Sequence, residues 1–203
     1  MIQNILQSTV LYWASALDLL VILTLLYVKF DRKYHLQIML GQMVGSLFLV
    51  LISLILAVVL HLIIPTWLLG ILGSVPIYFG LNVLFSHEHD EEDEAREVIE
   101  KRENKNLFLT AALLAFASCG ADNIGLFTPY FATLSNSKIE IALLVFVINI
   151  IILGIASDRL AHIPKLNQLL TRYNRWIIGI VYLALGLLIF IDSGTIGKLL
   201  SFI

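Results

Sequence analysis

The sequence predicts an all-α membrane protein in which six transmembrane helices form two inverted three-helix repeats. Three observations lead there. The chain has 203 residues, 59% of them hydrophobic and only 14% charged, against about 25% charged in soluble domains, and its mean hydropathy is +0.92. Its apolar residues gather into six runs separated by short polar turns and one longer charged loop. Finally, Asp18 and Asp122 lie 104 positions apart, and the Gly73/Gly80 pair recurs as Gly179/Gly186 at an offset of 106.

The runs are Ile5–Val28, Leu36–Ile64, Thr66–Phe85, Leu107–Leu134, Ile139–Ala156 and Trp176–Ile191. About 20 apolar residues are needed to cross a hydrocarbon core of about 30 Å. The first run has no basic leader and no small-residue cleavage pattern before a polar chain, so it is expected as a retained helix and not a signal peptide. Lys29, Arg32 and Lys33 follow it, whereas the turn around Pro65 between the second and third runs has no basic residue. Arg96, Lys101, Arg102 and Lys105 lie in the third loop, Lys138 in the fourth, Arg159, Lys165, Arg172 and Arg175 in the fifth, and Lys198 near the C-terminus. Eleven basic residues therefore fall on one side and two on the other. Positive-inside bias makes the odd-numbered loops cytoplasmic and places both termini outside a multi-pass cell-membrane protein.

The expected organisation is a first repeat over 1–86, an acidic cytoplasmic loop over 87–106 and a second repeat over 107–203. Three helices per repeat is an odd number, so the halves must enter the bilayer in opposite senses. That is a transporter architecture, with the substrate site near the midplane between the repeats. The paired glycines are seven residues, about two helical turns, apart, so each pair lies on one face and allows close helix contact.

A charge near the middle of a bilayer-length helix costs about 2.5–3.5 kcal/mol on insertion scales. Asp18 and Asp122 both lie in such places, while the basic residues sit in loops or at helix ends, and His61 is close to the outer end of its run. An external cation or protons must therefore balance the acids. Two carboxylates at one depth match a divalent ion. Residues three and four apart share a helix face, so Ser118 and Cys119 lie beside Asp122 and Ser15 beside Asp18. A thiolate at Cys119 favours zinc-like and heavier ions over magnesium or calcium; as a buried small hydrophobe, Cys119 is equally at home in packing. It is the only cysteine, so no intrachain disulfide exists.

Gly120, Gly125 and Pro129 let the fourth run bend or unwind and expose carbonyl oxygens. Asn149 and Gln42 are the remaining amides within apolar runs, serving either as outer oxygen donors or as interhelical hydrogen bonds. Tyr78, Tyr130 and Tyr182 are read as packing or interfacial residues. The segment from Ser86 to Glu94 reads as a solvated helix or tether, with the alternative that His87, His89 and the nearby acids loosely gather cytoplasmic metal. No Walker loop, nucleophile elbow or HExxH motif occurs, so neither ATP hydrolysis nor enzymatic catalysis is expected, and no cofactor.

Gly120-Ala121-Asp122-Asn123-Ile124-Gly125, followed by Pro129-Tyr130-Phe131, resembles the cadmium resistance transporter family, part of the lysine exporter superfamily. The likeness covers essentially the whole chain. It implies six helices in two inverted halves, a matching acid at Asp18, and Asn123 beside Asp122 among the metal residues. Leu19 follows Asp18 where Asn123 follows Asp122, so the first helix brings one ligand and the fourth brings two. The resemblance further implies export of cadmium, and zinc with it. Without an ATPase, protons exchanged for the metal must drive it. The expected partners are the metal, protons and the lipid bilayer, with self-association into a homo-oligomer left open and no nucleic acid. Two competing readings remain: an exporter of small organic solutes such as a basic amino acid, for which Cys119 is unneeded, and a non-transporting membrane metal sensor or assembly factor, for which both acids are expendable.

Overall fold

The computed structural model of the protein describes residues 2–64, 66–85, 106–117 and 120–193. These residues are helical throughout, with no strand among them. The chain runs through α1 (Ile2–Ser15), α2 (Leu17–Lys29), a 3-10 turn (Arg32–Tyr34), α3 (His35–Ile63), α4 (Thr66–Leu69), a second 3-10 turn (Gly70–Gly73) and α5 (Ser74–Phe85). After the acidic loop come α6 (Leu107–Ala117), α7 (Gly120–Thr133), α8 (Asn136–Leu160) and α9 (Pro164–Asp192).

Among the described residues, two helices are long and apolar enough to cross a membrane unaided: α3 with its preceding turn, 32 residues, and α8, 25 residues. At about 1.5 Å per residue, 25 residues reach roughly 37 Å. Two more spans are available if each bent pair counts as one, α1 with α2 and α6 with α7. Gly70–Phe85 and Trp176–Ile191 are shorter apolar helices. Only 33% of the apolar window of α3 is buried, and its open face carries Val44, Phe48, Leu51 and Ile55. A helix facing water would turn polar side chains outward, whereas lipid as the solvent reverses that requirement.

The two halves share a pattern of burial. Every buried residue of α8 stands 104 positions after a buried residue of α3: Ala142 answers Ile38, Asn149 answers Gly45, and Ser157 answers Ser53. This is the offset that separates the two acids. The packing also exchanges between halves, because α3 lies along α6 and α7 while α8 lies along α1 and α2.

Close approach is written into the glycines. Gly41 and Gly45, one turn apart on α3, face the carbonyl groups of Phe108 and Ala112 on α6, with no room for a Cβ. The pair predicted from sequence meets its own repeat. A Cβ on Gly73 would stand 2.7 Å from the Gly186 carbonyl oxygen, and one on Gly80 2.9 Å from that of Gly179. The α5 segment thus crosses α9 in opposite register, with small residues letting the backbones touch. An aromatic cluster joins α1, α7 and α8, where Phe146 takes Tyr12, Phe127 and Phe131 at centroid distances of 5.5, 4.8 and 5.3 Å. The edge-on contacts among these rings suit their quadrupoles and add to the area they bury.

Candidate metal pathway

The run Ile5–Val28, expected as one helix, is broken. Its halves meet at 56° around Ala16, which has φ −101° and ψ 2°, outside helical values. No glycine or proline lies at this point. Ser15 donates its hydroxyl to the Tyr12 carbonyl at 3.0 Å, three residues back, and such back-bonding competes with the helical ladder and bends it. The fourth run breaks at the corresponding place, with α6 and α7 meeting at 64°, as Gly120 and the small residues before it foreshadow.

Each break places an acid in the first turn of the helix that follows it, Asp18 in α2 and Asp122 in α7. A helix N-terminus carries about half a positive charge, which favours a carboxylate there and lowers the cost of holding it in the bilayer. Both acids are half-buried. Ser118 and Cys119 lie outside the described residues, as do His87 and His89 of the acidic loop. Among the described residues, no three His, Cys, Asp or Glu side chains gather into a cluster.

Between the breaks lies a small cavity of about 10 Å³, at the lower limit of what one water molecule occupies. Ser15 and Ala16 line it from the first break, Ala115 and Asn123 from the second, and Ser46 from α3. Asn123 is 6% exposed, and its Oδ1 has no hydrogen-bond partner among the described residues. A buried carbonyl oxygen left unsatisfied costs about 1–3 kcal/mol. With the Ser15 hydroxyl proton committed to Tyr12, the lone pairs of Ser15 and of Asn123 both remain available. Among the described residues, the cavity therefore presents oxygen acceptors from both breaks. Neither Asp18 nor Asp122 lines it.

The other two amides differ. Asn149 accepts from the Trp13 indole at 2.8 Å and donates to the Val145 carbonyl at 2.8 Å, an interhelical tie between α1 and α8. Gln42 is fully buried and reaches Ser46 and the Ile150 carbonyl only at 3.4 Å each. Its Oε1 is without a hydrogen-bond partner among the described residues. Through Ser46 it stands one side chain behind the cavity.

Tyr130, expected as a packing or interfacial residue, is buried in the core and also belongs to a polar network at the far end of α7. Its hydroxyl meets Ser8 at 2.7 Å and Asn4 Oδ1 at 3.1 Å, and Asn4 donates to the Lys138 carbonyl at 2.8 Å. The signal was present in the sequence, since Asn4 and Ser8 are polar residues one turn apart. These residues adjoin a vestibule of about 270 Å³ lined by Gln3, Asn4, Gln7, Tyr130 and Thr133.

No curated protein and no solved structure matches the chain. A family model described as cadmium resistance transporter matches residues 12–202, a stretch that takes in both breaks, both acids and the cavity between them. Membership of that family implies cadmium transport or resistance, carried out by a transporter and not by an enzyme. With nearly its whole length matched, the chain belongs to the cadmium resistance transporter family.

Proposed function

We propose that the protein exports cadmium, and zinc with it, from the cytoplasm in exchange for protons, and that the metal passes between the two helix breaks. In this reading six spans form two inverted three-helix repeats with both termini outside. The exchanged packing of α3 and α8 and the burial pattern common to them support the repeat. The odd number of helices per repeat supports the inversion.

One observation carries the site. Asn123, whose Oδ1 has no hydrogen-bond partner among the described residues, lines with Ser15 one cavity contributed by both breaks. A cation entering there repays the desolvation of that oxygen, which a neutral occupant without donors cannot do. Asp18 and Asp122 supply the charge that a divalent ion needs, Asn123, Ser15 and Ser118 supply oxygens, and Cys119 supplies a soft ligand that discriminates in favour of cadmium. The size of the cavity favours a dehydrated ion over a basic amino acid.

Work is required to move the metal outward. Against an interior-negative potential of about 100 mV, a +2 ion costs about 4.6 kcal/mol, at about 2.3 kcal/mol per charge. Two protons entering from outside and replacing the metal on the two acids make the cycle electroneutral. They also return the empty site as two neutral carboxyls, which avoids bare carboxylates in hydrocarbon.

The test is flux in proteoliposomes loaded with cadmium and a pH-sensitive dye. Metal efflux accompanied by proton influx, with uphill efflux under an imposed pH gradient and none in Asp122→Asn, is the expected result. Efflux that ignores the gradient at fixed voltage, with no dye response, rules the exchange out.

A further inference from the structure

At the end of the bundle opposite the vestibule lies a pair that the metal pathway does not use. His35 opens α3 and Asp158 lies in the last turns of α8, so the pair joins the two halves across 123 positions of sequence. The imidazole Nδ1 stands 2.6 Å from Asp158 Oδ1, and Nε2 stands 3.2 Å from the Phe30 carbonyl oxygen. Both neighbours are acceptors. A neutral imidazole has one N–H and satisfies one of them, leaving a lone pair facing a lone pair at the other; an imidazolium satisfies both.

We propose that His35 and Asp158 form a proton-operated latch on the cytoplasmic mouth, shut while His35 is protonated and released when it loses its proton. The latch regulates the export path proposed above and rests on that reading's topology, which places this end in the cytoplasm. Histidine is the side chain whose charge ordinarily changes between about pH 5 and 8. The side chains are 15% and 33% exposed, so they are partly open to protons from that side.

Among the described residues, His35 faces one carboxylate, that of Asp158. From α2, the Tyr27 ring lies edge-on to the imidazole at 4.9 Å, while Lys29 is exposed and stands over the Phe30 ring. In the turn before α3, Asp31, Arg32 and Lys33 are exposed, and Lys33 pairs with Asp31 at 3.5 Å. On α8, Arg159 is exposed, and the exposed His162 sets Nδ1 2.9 Å from the backbone carbonyl oxygen of Asp158.

The sign follows by linkage. The shut form holds one proton more than the released form, so rising pH favours release and falling pH favours closure. For an exporter that brings protons in, this is self-limiting, since acid accumulating in the cytoplasm shuts the entrance through which metal loads.

The test reads opening directly, without metal or transport. In full-length protein with Cys119→Ser, a thiol is introduced by Ser157→Cys, at a position with no exposed surface beside the latch. It is reacted with a membrane-impermeant maleimide in inside-out vesicles at pH 6 and pH 8. The rate is divided by that of Lys33→Cys, whose side chain is exposed, which cancels the rise in thiolate with pH. The ratio is expected to climb by at least about threefold, within the ceiling of about a hundredfold for one proton over two pH units. It should be high at both pH values in His35→Gln and in Asp158→Asn. A ratio flat with pH, the same climb in His35→Gln, or reaction only in right-side-out vesicles overturns the latch. Because no flux is measured, failure of metal export in proteoliposomes leaves this result standing, and failure here leaves that one.

Discussion

Replacing Asn123 by leucine should stabilise the protein and weaken its hold on cadmium at once. Leucine has the same branching as asparagine at Cγ, and among the described residues Asn123 Oδ1 has no hydrogen-bond partner for it to lose. Relief of the unsatisfied oxygen is worth about 1–3 kcal/mol. Leucine's extra bulk opposes this gain, and a cavity of about 10 Å³ beside it takes up part of the added volume. If a bound ion is what satisfies the oxygen in the wild type, the same 1–3 kcal/mol reappears as lost affinity, about 5- to 140-fold in Kd at 1.4 kcal/mol per tenfold. Purified protein in detergent gives both readouts: a melting temperature without metal, expected to hold or rise, and cadmium affinity by calorimetry, expected to fall. A lower melting temperature with unchanged affinity would show that Asn123 is a packing residue and that the cavity between the breaks holds no cation.

Other consequences can be measured on the purified protein, in detergent or reconstituted into liposomes. Gly73→Ala drives a Cβ to 2.7 Å from the Gly186 carbonyl and should cost about 1–3 kcal/mol through overpacking, whereas Gly120→Ala, with nothing within 4 Å of its new Cβ, should be neutral or stabilising by up to about 1 kcal/mol; equal melting temperatures would contradict the α5–α9 crossing. Cys119→Ser should weaken cadmium binding more than manganese binding, because only the softer ion benefits from sulfur, and equal effects would return Cys119 to packing. Changing His87 and His89 to Ala and the neighbouring acids to Ser should raise the cytoplasmic cadmium concentration needed for half-maximal export while leaving the maximal rate intact, and complete loss of export would place that loop in the transport path.

Much of the architecture was legible because lipid imposes a simple rule. A chain that must satisfy its own backbone in hydrocarbon shows long apolar runs, and α3 and α8 appear where those runs predict them. The acids stood out for the same reason, as did the fourth-run motif that led to the family. The first break was less legible. Its only local signs are Ser15, whose hydroxyl bonds back to Tyr12, and Asp18 two positions beyond Ala16, neither of which is a glycine or proline that flags a kink. Tyr130 packs in the core as an aromatic in an apolar run should, but the partners of its hydroxyl were not legible, because Asn4 and Ser8 lie more than 120 positions away.

What the sequence by itself determined is the helical membrane class, the family, and the identity and spacing of the two acids, all of which depend on local composition and on short-range periodicity. What only the tertiary structure decided is which oxygens face each other and which are already taken. Asn149 and Asn123 are the same side chain in similar apolar runs, yet one is committed to Trp13 at 2.8 Å and the other lines a cavity with its Oδ1 unpartnered among the described residues. No spacing in the sequence connects His35 with Asp158, and the fold sets them 2.6 Å apart. The physical reason is that a hydrogen bond is a contact of about 3 Å, and no local pattern specifies which of two distant helix faces will come within that reach.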